Sequence, residues 1–254
     1  MPSTRKDQIQ ALLKSLENGN TEAVAVVNEA KYIQHNPETH EGSEGLAALF
    51  KRISKTSPRV NIVRIFEDGD YVFGHTEYDF ANSNIGFEVF RFEDGQAVEH
   101  WDNIQKRQGP NASGHSMVDG ESELTDRHLT EINREMVKSF VENILIKRQL
   151  DKLDNYLSDG KLTQHSPYLT DGAESLSSAL NFKSEQGYTL RYDRLHRILA
   201  EGNFVLTVSE GSREGNHSSF YDLYRVAEGC IAEHWDTVET VPPRSEWKNN
   251  NGKF

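Results

Sequence analysis

The sequence predicts an α+β fold made twice over in one chain. Three observations predict it. Two short motifs recur in the same order, helical spacing precedes alternating spacing in each half, and Asp68-Gly69 and Asp94-Gly95 separate alternating runs as tight turns do. Helices followed by strands, rather than interleaved with them, mark an α+β domain.

The repeat begins with Gln34-His35-Asn36-Pro37 and Gln164-His165-Ser166-Pro167, 130 residues apart, and the same offset pairs Gly42 with Gly172, Glu44 with Glu174 and Leu46 with Leu176. The run Ile65 to Val72 matches Ile198 to Val205 at an offset of 133. Arg91, Gly95 and Glu99-His100-Trp101-Asp102 match Arg225, Gly229 and Glu233-His234-Trp235-Asp236 at 134. Short loop insertions in the second copy account for the drift.

The elements follow in order. Residues 5–17 and 21–31 carry helical spacing, through Leu12, Leu13 and Leu16 and then Val24, Val27 and Ala30, with Gly19-Asn20 between them. Asn36-Pro37 ends the second helix, because a residue before proline avoids the helical region. A third helix is expected from Ser43 to Lys55, then extended runs at 59–67, 70–80, 85–93 and 96–105. The second copy repeats this with helices near 126–147, 149–158 and 173–184 and strands near 188–200, 203–210, 217–227 and 230–240. The expected organisation is copy one at 1–106, a Gly- and Ser-rich linker at 107–122, copy two at 123–241 and a polar, flexible tail at 242–254.

Composition agrees. Hydrophobic residues make up 35% of the 254, and the mean hydropathy is -0.71, which suits two small cores better than one large one. A net charge of -12 disfavours nucleic acid and anionic membranes as partners. Cys230 is the one cysteine, so no intrachain disulfide forms. The N-terminus lacks the apolar run of a signal peptide, and no stretch approaches the roughly 18 apolar residues of a membrane span. A soluble, cytoplasmic protein is the expectation.

Strand parity nominates the chemistry-bearing side chains. Glu88 shares a face with Phe90 and Phe92, and Asp222 with Tyr224 and Val226. A carboxylate among aromatics is desolvated, which raises its pKa and suits it to proton transfer; the alternative is an exposed acid at a sheet edge. His100 and Asp102 share one face while Glu99 and Trp101 point the other way. Such a His-Asp pair can share a proton, or it can be a surface pair beside a packed Trp. His35 stands where a helix C-terminus meets a proline, as a protonatable group or a cap. His75, on a face with Tyr71 and Phe73, is expected to point inward. No phosphate-binding, dinucleotide or metalloprotease motif is present, and no His or acid pair has a recognised metal-ligand spacing, so no cofactor and no metal are expected.

With these residues in place, each copy resembles the SnoaL-like group of the nuclear transport factor 2-like superfamily. In copy one the resemblance rests on Tyr32 to Pro37, Gly42-x-Glu44-Gly45-Leu46, Gly69-Asp70-x-Val72-x-x-His75, Phe90 to Gly95 and Glu99 to Asp102. It implies a cone-shaped barrel in each copy, a curved antiparallel sheet wrapped by about three helices around an apolar pocket. It also implies a metal-free aldol-type cyclase or isomerase in which a pocket Asp moves a proton. Carried over by motif, Asp102 is the acid/base, with His35, His100 and Glu88 beside it and Tyr32, His75, Phe90 and Trp101 lining the pocket. The matching set in copy two is His165, Asp222, His234 and Asp236. Leu162, Ser166 and Val208 stand where copy one has Tyr32, Asn36 and His75, which favours copy one as the active copy. The expected ligand is small, apolar and carbonyl-bearing; a non-catalytic binding module is the alternative. The two copies are expected to pair as an intramolecular pseudo-dimer, with a further homodimer open to them.

Overall fold

The computed structural model describes residues 3–18, 20–42, 58–79, 82–185 and 187–254; the helix expected from Ser43 to Lys55 lies outside them. The chain divides into two units, Met1–Arg107 with Pro242–Phe254, and Gln108–Val241.

In the first unit, α1 spans Arg5–Lys14. Thr4 caps it by accepting from the Asp7 N–H, and the Asp7 side chain answers the Thr4 N–H, satisfying two backbone donors that the helix cannot. Ile9, Leu12, Leu13 and Leu16 form its buried stripe against Val60, Val72, Phe90 and Phe92 of the sheet. The helix expected at 21–31 is only a short 3₁₀ stretch, Thr21–Val26. Val24, Val26 and Val27 are β-branched and poor helix formers, and the chain is drawn onto the sheet instead, Val27 bridging Ala97 and Asn28 N–H donating to the Ala97 carbonyl.

The strands are β1 (Ile33–Gln34), β2 (Arg59–Asp68), β3 (Tyr71–Asp79), β4 (Ser83–Glu93) and β5 (Gln96–Lys106). Their order is β1-β5-β4-β3-β2, antiparallel except for β1 on β5. Bulges at Ile62/Arg64 and Arg91/Phe92 bend the sheet. Register places Gly74, Glu88 and Asp102 side by side, and Phe90 opposite His100.

The second unit has α2 (Thr130–Phe140), running into a wider-turned segment Val141–Ile146, and α3 (Ala173–Asn181). Phe140, Val141, Ile144 and Leu145 bury against Val205, Phe220, Tyr224 and Ile231. Its strands are β6 (Thr163–Gln164), β7 (Lys183–Ser184), β8 (Gly187–Tyr188), β9 (Leu190–Glu201), β10 (Phe204–Arg213), β11 (Asn216–Ala227) and β12 (Cys230–Thr240). The order β6-β12-β11-β10-β9 repeats that of the first unit. Both units are therefore α+β, as predicted.

The linker and tail are a correction to the sequence reading. Neither is loose. Residues 108–122 belong to the second unit, where Asn111 Nδ2 donates to the Gln164 carbonyl at 2.6 Å and Trp235 Nε1 to the Asp119 carbonyl at 2.9 Å. The tail belongs to the first unit, where Asn251 Nδ2 donates to the Gln34 carbonyl at 3.0 Å and Asn249 Nδ2 to the Asn36 carbonyl at 2.7 Å. The cause is the same in both. A two-residue edge strand leaves carbonyls without a ladder partner, and a buried carbonyl must find a donor. Gly120 is specified by this packing: it sits at φ +85, and a Cβ there would lie 2.7 Å from His165 Nε2.

Candidate active site

The repeated motifs split by parity. Gln34 lies beside His100 across the β1–β5 pair, and the even-numbered residues Gln34, Asn36, His100 and Asp102 face one way. His100 Nδ1 meets Gln34 Oε1 at 3.1 Å and His100 Nε2 meets Glu88 Oε2 at 2.7 Å. Tyr78 Oη donates to Glu88 Oε1 at 2.5 Å. Asn36 Nδ2 donates to Asp102 Oδ2 at 2.8 Å. Asn36 N–H also donates to Gln34 Oε1, which fixes the amide with its oxygen toward the imidazole. Both nitrogens of His100 therefore donate, and the ring is held as an imidazolium. Burial opposes the charge, but the hydrogen bond and the charge of Glu88 outweigh it, so the His100 pKa lies above its usual value. Tyr32 belongs here too: burial first, and then the charges of Glu88 and Asp102, push its pKa well up. Phe90 stacks on His100 at 4.4 Å.

The odd-numbered residues do something else. His35 stacks on Trp101 at 4.5 Å and bonds Glu99 Oε1 at 2.9 Å through Nε2 and the Gly252 carbonyl at 2.8 Å through Nδ1. Arg91 Nε donates to the other Glu99 oxygen at 2.6 Å. His75 stacks on Phe87 at 4.5 Å and accepts from Arg64 at 3.1 Å. Thus His35, His75 and Trp101, expected in the pocket, lie on the sheet face opposite Glu88, His100 and Asp102. His75 is buried as expected, but on the wrong side. His35 is not at a helix end, because the segment before it is not a helix.

The second unit builds the same chain of contacts from partly different atoms. His234 Nδ1 meets Gln164 Oε1 at 2.8 Å, and His234 Nε2 meets Asp222 Oδ1 at 2.9 Å. Tyr192 Oη donates to that same Asp222 oxygen at 3.1 Å. Burial opposes charge on His234, Asp222 favours it, and the pKa is raised. Ser166 Oγ donates to Asp236 Oδ2 at 3.0 Å. His165 stacks on Trp235 at 4.5 Å and bonds Asp119 at 2.7 Å, repeating the role of His35. Glu233, clasped by His165 and Arg225, falls to a pKa of about 2 although burial works against it.

Here the site opens onto a cavity of about 240 Å³. Its walls are mainly apolar, among them Phe140, Leu162, Leu176 and Tyr224, and Gln164, Ser166, His234 and Asp236 stand at its polar end. Two buried polar atoms of that end, Asp236 Oδ1 and Gln164 Nε2, have no hydrogen-bond partner among the described residues. Burial chiefly, aided by the charge of Asp222 and opposed by that of His234, lifts Asp236 to a pKa of about 6. In the first unit the equivalent acid is engaged differently. Lys253, itself buried, donates Nζ to the Asp102 carbonyl at 2.9 Å and stands 3.7 Å from Asp102 Oδ1.

Three clusters have the residue types of a metal site: Glu88, His100 and Asp102; Asp222, His234 and Asp236; and His115, Asp119 and His165. In the first two, both imidazole nitrogens are already engaged by protein oxygens, so a metal would have to displace one. Sequence reasoning passed over Gln34 and Gln164, although both copies spell them in the motif, and also Tyr78, Tyr192, Ser166 and Lys253. The repeat was the available signal for the glutamines.

A family model described as SnoaL-like domain matches residues 9–100. No curated protein matches the chain significantly. Among solved structures the chain is similar to TsrD from Streptomyces laurentii, at 19% identity over 39% of this chain and 85% of that one, TM-score 0.35. It is similar to an NTF2-like protein of unknown function from Cytophaga hutchinsonii, at 18% identity over 41% and 93%, TM-score 0.36. It is also similar to an LEH-like epoxide hydrolase from M. tuberculosis, at 21% identity over 39% and 81%, TM-score 0.34. No helix of the described residues is long and apolar enough to cross a membrane. The match to the SnoaL-like domain model lies in the first unit, and the second unit repeats the first unit's strand order and both of its end motifs.

Proposed function

We propose that the second unit is an acid/base catalyst acting on a small, mainly apolar molecule that bears a carbonyl, and that Asp236 moves the proton. The sequence favoured the first copy; the cavity beside Asp236, and the Lys253 ammonium 3.7 Å from Asp102 Oδ1, move the proposal to the second. The observation that carries it is a pair of unsatisfied atoms at one end of one apolar cavity, a donor at Gln164 Nε2 and an acceptor at Asp236 Oδ1. A carbonyl oxygen accepts from the Gln164 amide while Asp236 takes a proton from the adjacent carbon. The C–H electron pair becomes the enolate π bond and the carbonyl π pair moves to oxygen. The His234 imidazolium, fixed by Gln164 and Asp222, stabilises that charge without itself giving up a proton. The enol carbon is then reprotonated in an isomerisation. In an aldol closure it attacks a second carbonyl, and the proton on Asp236 goes to the new alkoxide. A carboxyl group with a pKa of about 6 exchanges protons readily near neutrality.

The test is deuterium exchange at the α-carbon of 4-phenylbutan-2-one in D₂O, followed by NMR. The protein should accelerate exchange, and Asp236→Asn should remove about 10²- to 10⁴-fold of the acceleration. Exchange no faster than in buffer, or an undiminished rate in Asp236→Asn, overturns the proposal. The first unit, with Asp102 bonded by Asn36 and flanked by Lys253, is read as non-catalytic.

A further inference from the structure

Arg213 ends β10 at the wall of the second unit's cavity. Its guanidinium carbon lies 3.3 Å from the centre of the Tyr168 ring, a stacking that fixes the plane of the fork. Five other arginines of the second unit are engaged, Arg127 with Glu201, Arg134 with Glu131, Arg191 with Asp193, Arg225 with Glu233 and Arg148 with two carbonyls, and Arg194 is exposed on β9, away from the cavity walls. Arg213 makes no ion pair among the described residues. Glu214, next to it on the turn, is exposed and also lines the cavity, but does not pair with it. Arg213 is also near enough for its charge to act on Asp236. A half-buried guanidinium held against an aromatic ring at the wall of an apolar cavity is suited to bidentate recognition of a carboxylate.

We infer that this cavity selects ligands carrying a carboxylate, which Arg213 binds while their carbonyl reaches Gln164 and Asp236. The inference rests on the reading above and narrows its substrate class to keto acids with an apolar body. The geometry also explains a feature that a neutral ligand would leave without purpose: a cation in a cavity that is otherwise lined mainly by Leu, Phe and Tyr. A carboxylate on Arg213 would neutralise it and leave Asp236 as the buried acid at the cavity's polar end, Glu214 being exposed at its wall.

The experiment is calorimetric titration of the full chain with a matched pair, 2-oxo-4-phenylbutanoate and 4-phenylbutan-2-one, which differ by the carboxylate. The keto acid should bind at least tenfold tighter. In Arg213→Gln the ratio of the two affinities should fall to about one, and Arg213→Lys should restore part of it, because a point charge keeps attraction but loses the fork. Arg194→Gln, which removes an exposed arginine away from the cavity walls, should leave the ratio at ten or more. Equal binding of the two compounds by the native chain, or a ratio that survives Arg213→Gln, overturns the inference while leaving proton exchange at Asp236 intact. Failure of both compounds to bind at millimolar concentration overturns the inference and the reading beneath it together.

Discussion

In the first unit the acid beside the histidine is a glutamate, and its tyrosine comes from the second long strand of the sheet; in the other unit the acid is an aspartate, one methylene shorter, and its tyrosine comes from the first. Tyr78 reaches Glu88 past Gly86, where a Cβ would stand 2.9 Å from the Tyr78 ring. In the second unit Phe220 fills the place matching Gly86 and packs on Tyr192 at 4.3 Å. Gly211, matching Tyr78, brings the backbone so close to Arg191 that a Cβ would meet its carbonyl at 1.9 Å. Four positions have changed together, yet the sequence tyrosine to carboxylate to imidazole to glutamine is kept. What the difference teaches is that this hydrogen-bonded series is what both sheets are built to hold, and that its outcome, a buried imidazolium, does not depend on which atoms supply it.

The copies part company at the other acid. Asp102 has Asn36 and Lys253 for neighbours, whereas Asp236 has Ser166 and a cavity. The comparison breaks most sharply on activity. Asp102→Asn should change deuterium exchange by less than about twofold, against the hundredfold or greater loss expected for Asp236→Asn; a comparable loss in the Asp102 variant would return the chemistry to the first unit. It should show next in stability against pH. The folded-state pKa of Asp236 is raised, so the folded unit holds that proton more tightly than the unfolded chain does. Its ionisation penalty is absent below about pH 4, grows between pH 4 and 6 and is constant above. A lift of roughly two pH units corresponds to on the order of 3 kcal/mol. Asp236→Asn should accordingly raise the melting temperature of the second unit at pH 8 and give no gain at pH 3.5. A gain independent of pH would mean that Asp236 is not a perturbed acid.

A third contrast concerns Lys253. Replacing it with Met removes a buried, charged donor from the Asp102 carbonyl and leaves that acceptor unmet, a loss of about 1–3 kcal/mol. Amide exchange should quicken in β1 and β5 and stay unchanged in β6 and β12. Uniform exchange across both sheets would remove the lysine from the account.

Much of this was legible in the sequence, and parity explains both the success and the misses. Alternation along Glu99-His100-Trp101-Asp102 separated His100 and Asp102 from Glu99 and Trp101, and the register confirms that split. The same rule put His75 with Tyr71 and Phe73, which the structure also gives, but parity cannot say which face is the site when both are buried. His75 is 1% exposed on one face and Asp102 5% exposed on the other. Helical spacing failed at residues 21–31 because two of the residues that satisfy it, Val24 and Val27, prefer extended backbone. Lys253 and Asn251 were beyond reach: a polar terminal segment has no periodicity to read, and its order comes from carbonyls 151 and 217 residues away in sequence.

The finest test of the comparison is Ser166. Its hydroxyl donates to Asp236 Oδ2 and so favours the carboxylate, opposing the burial that raises the pKa. Ser166→Ala should leave the cavity and the fold in place and push the Asp236 pKa further up. One hydrogen bond is worth about 1 kcal/mol, or roughly 0.7 of a pH unit. The base form then appears at higher pH, so the rising limb of the exchange rate should move from about pH 6 toward neutrality, with the plateau rate little altered. Ser166→Asn, which writes the first copy's residue into the second, should do the opposite of Ala and hold the limb near 6 or below, since an amide donor at 2.8 Å serves Asp102 in the same way. A limb that ignores both substitutions would mean that some group other than Asp236 sets the pH dependence, and the likeness between the two acids would then be one of position only.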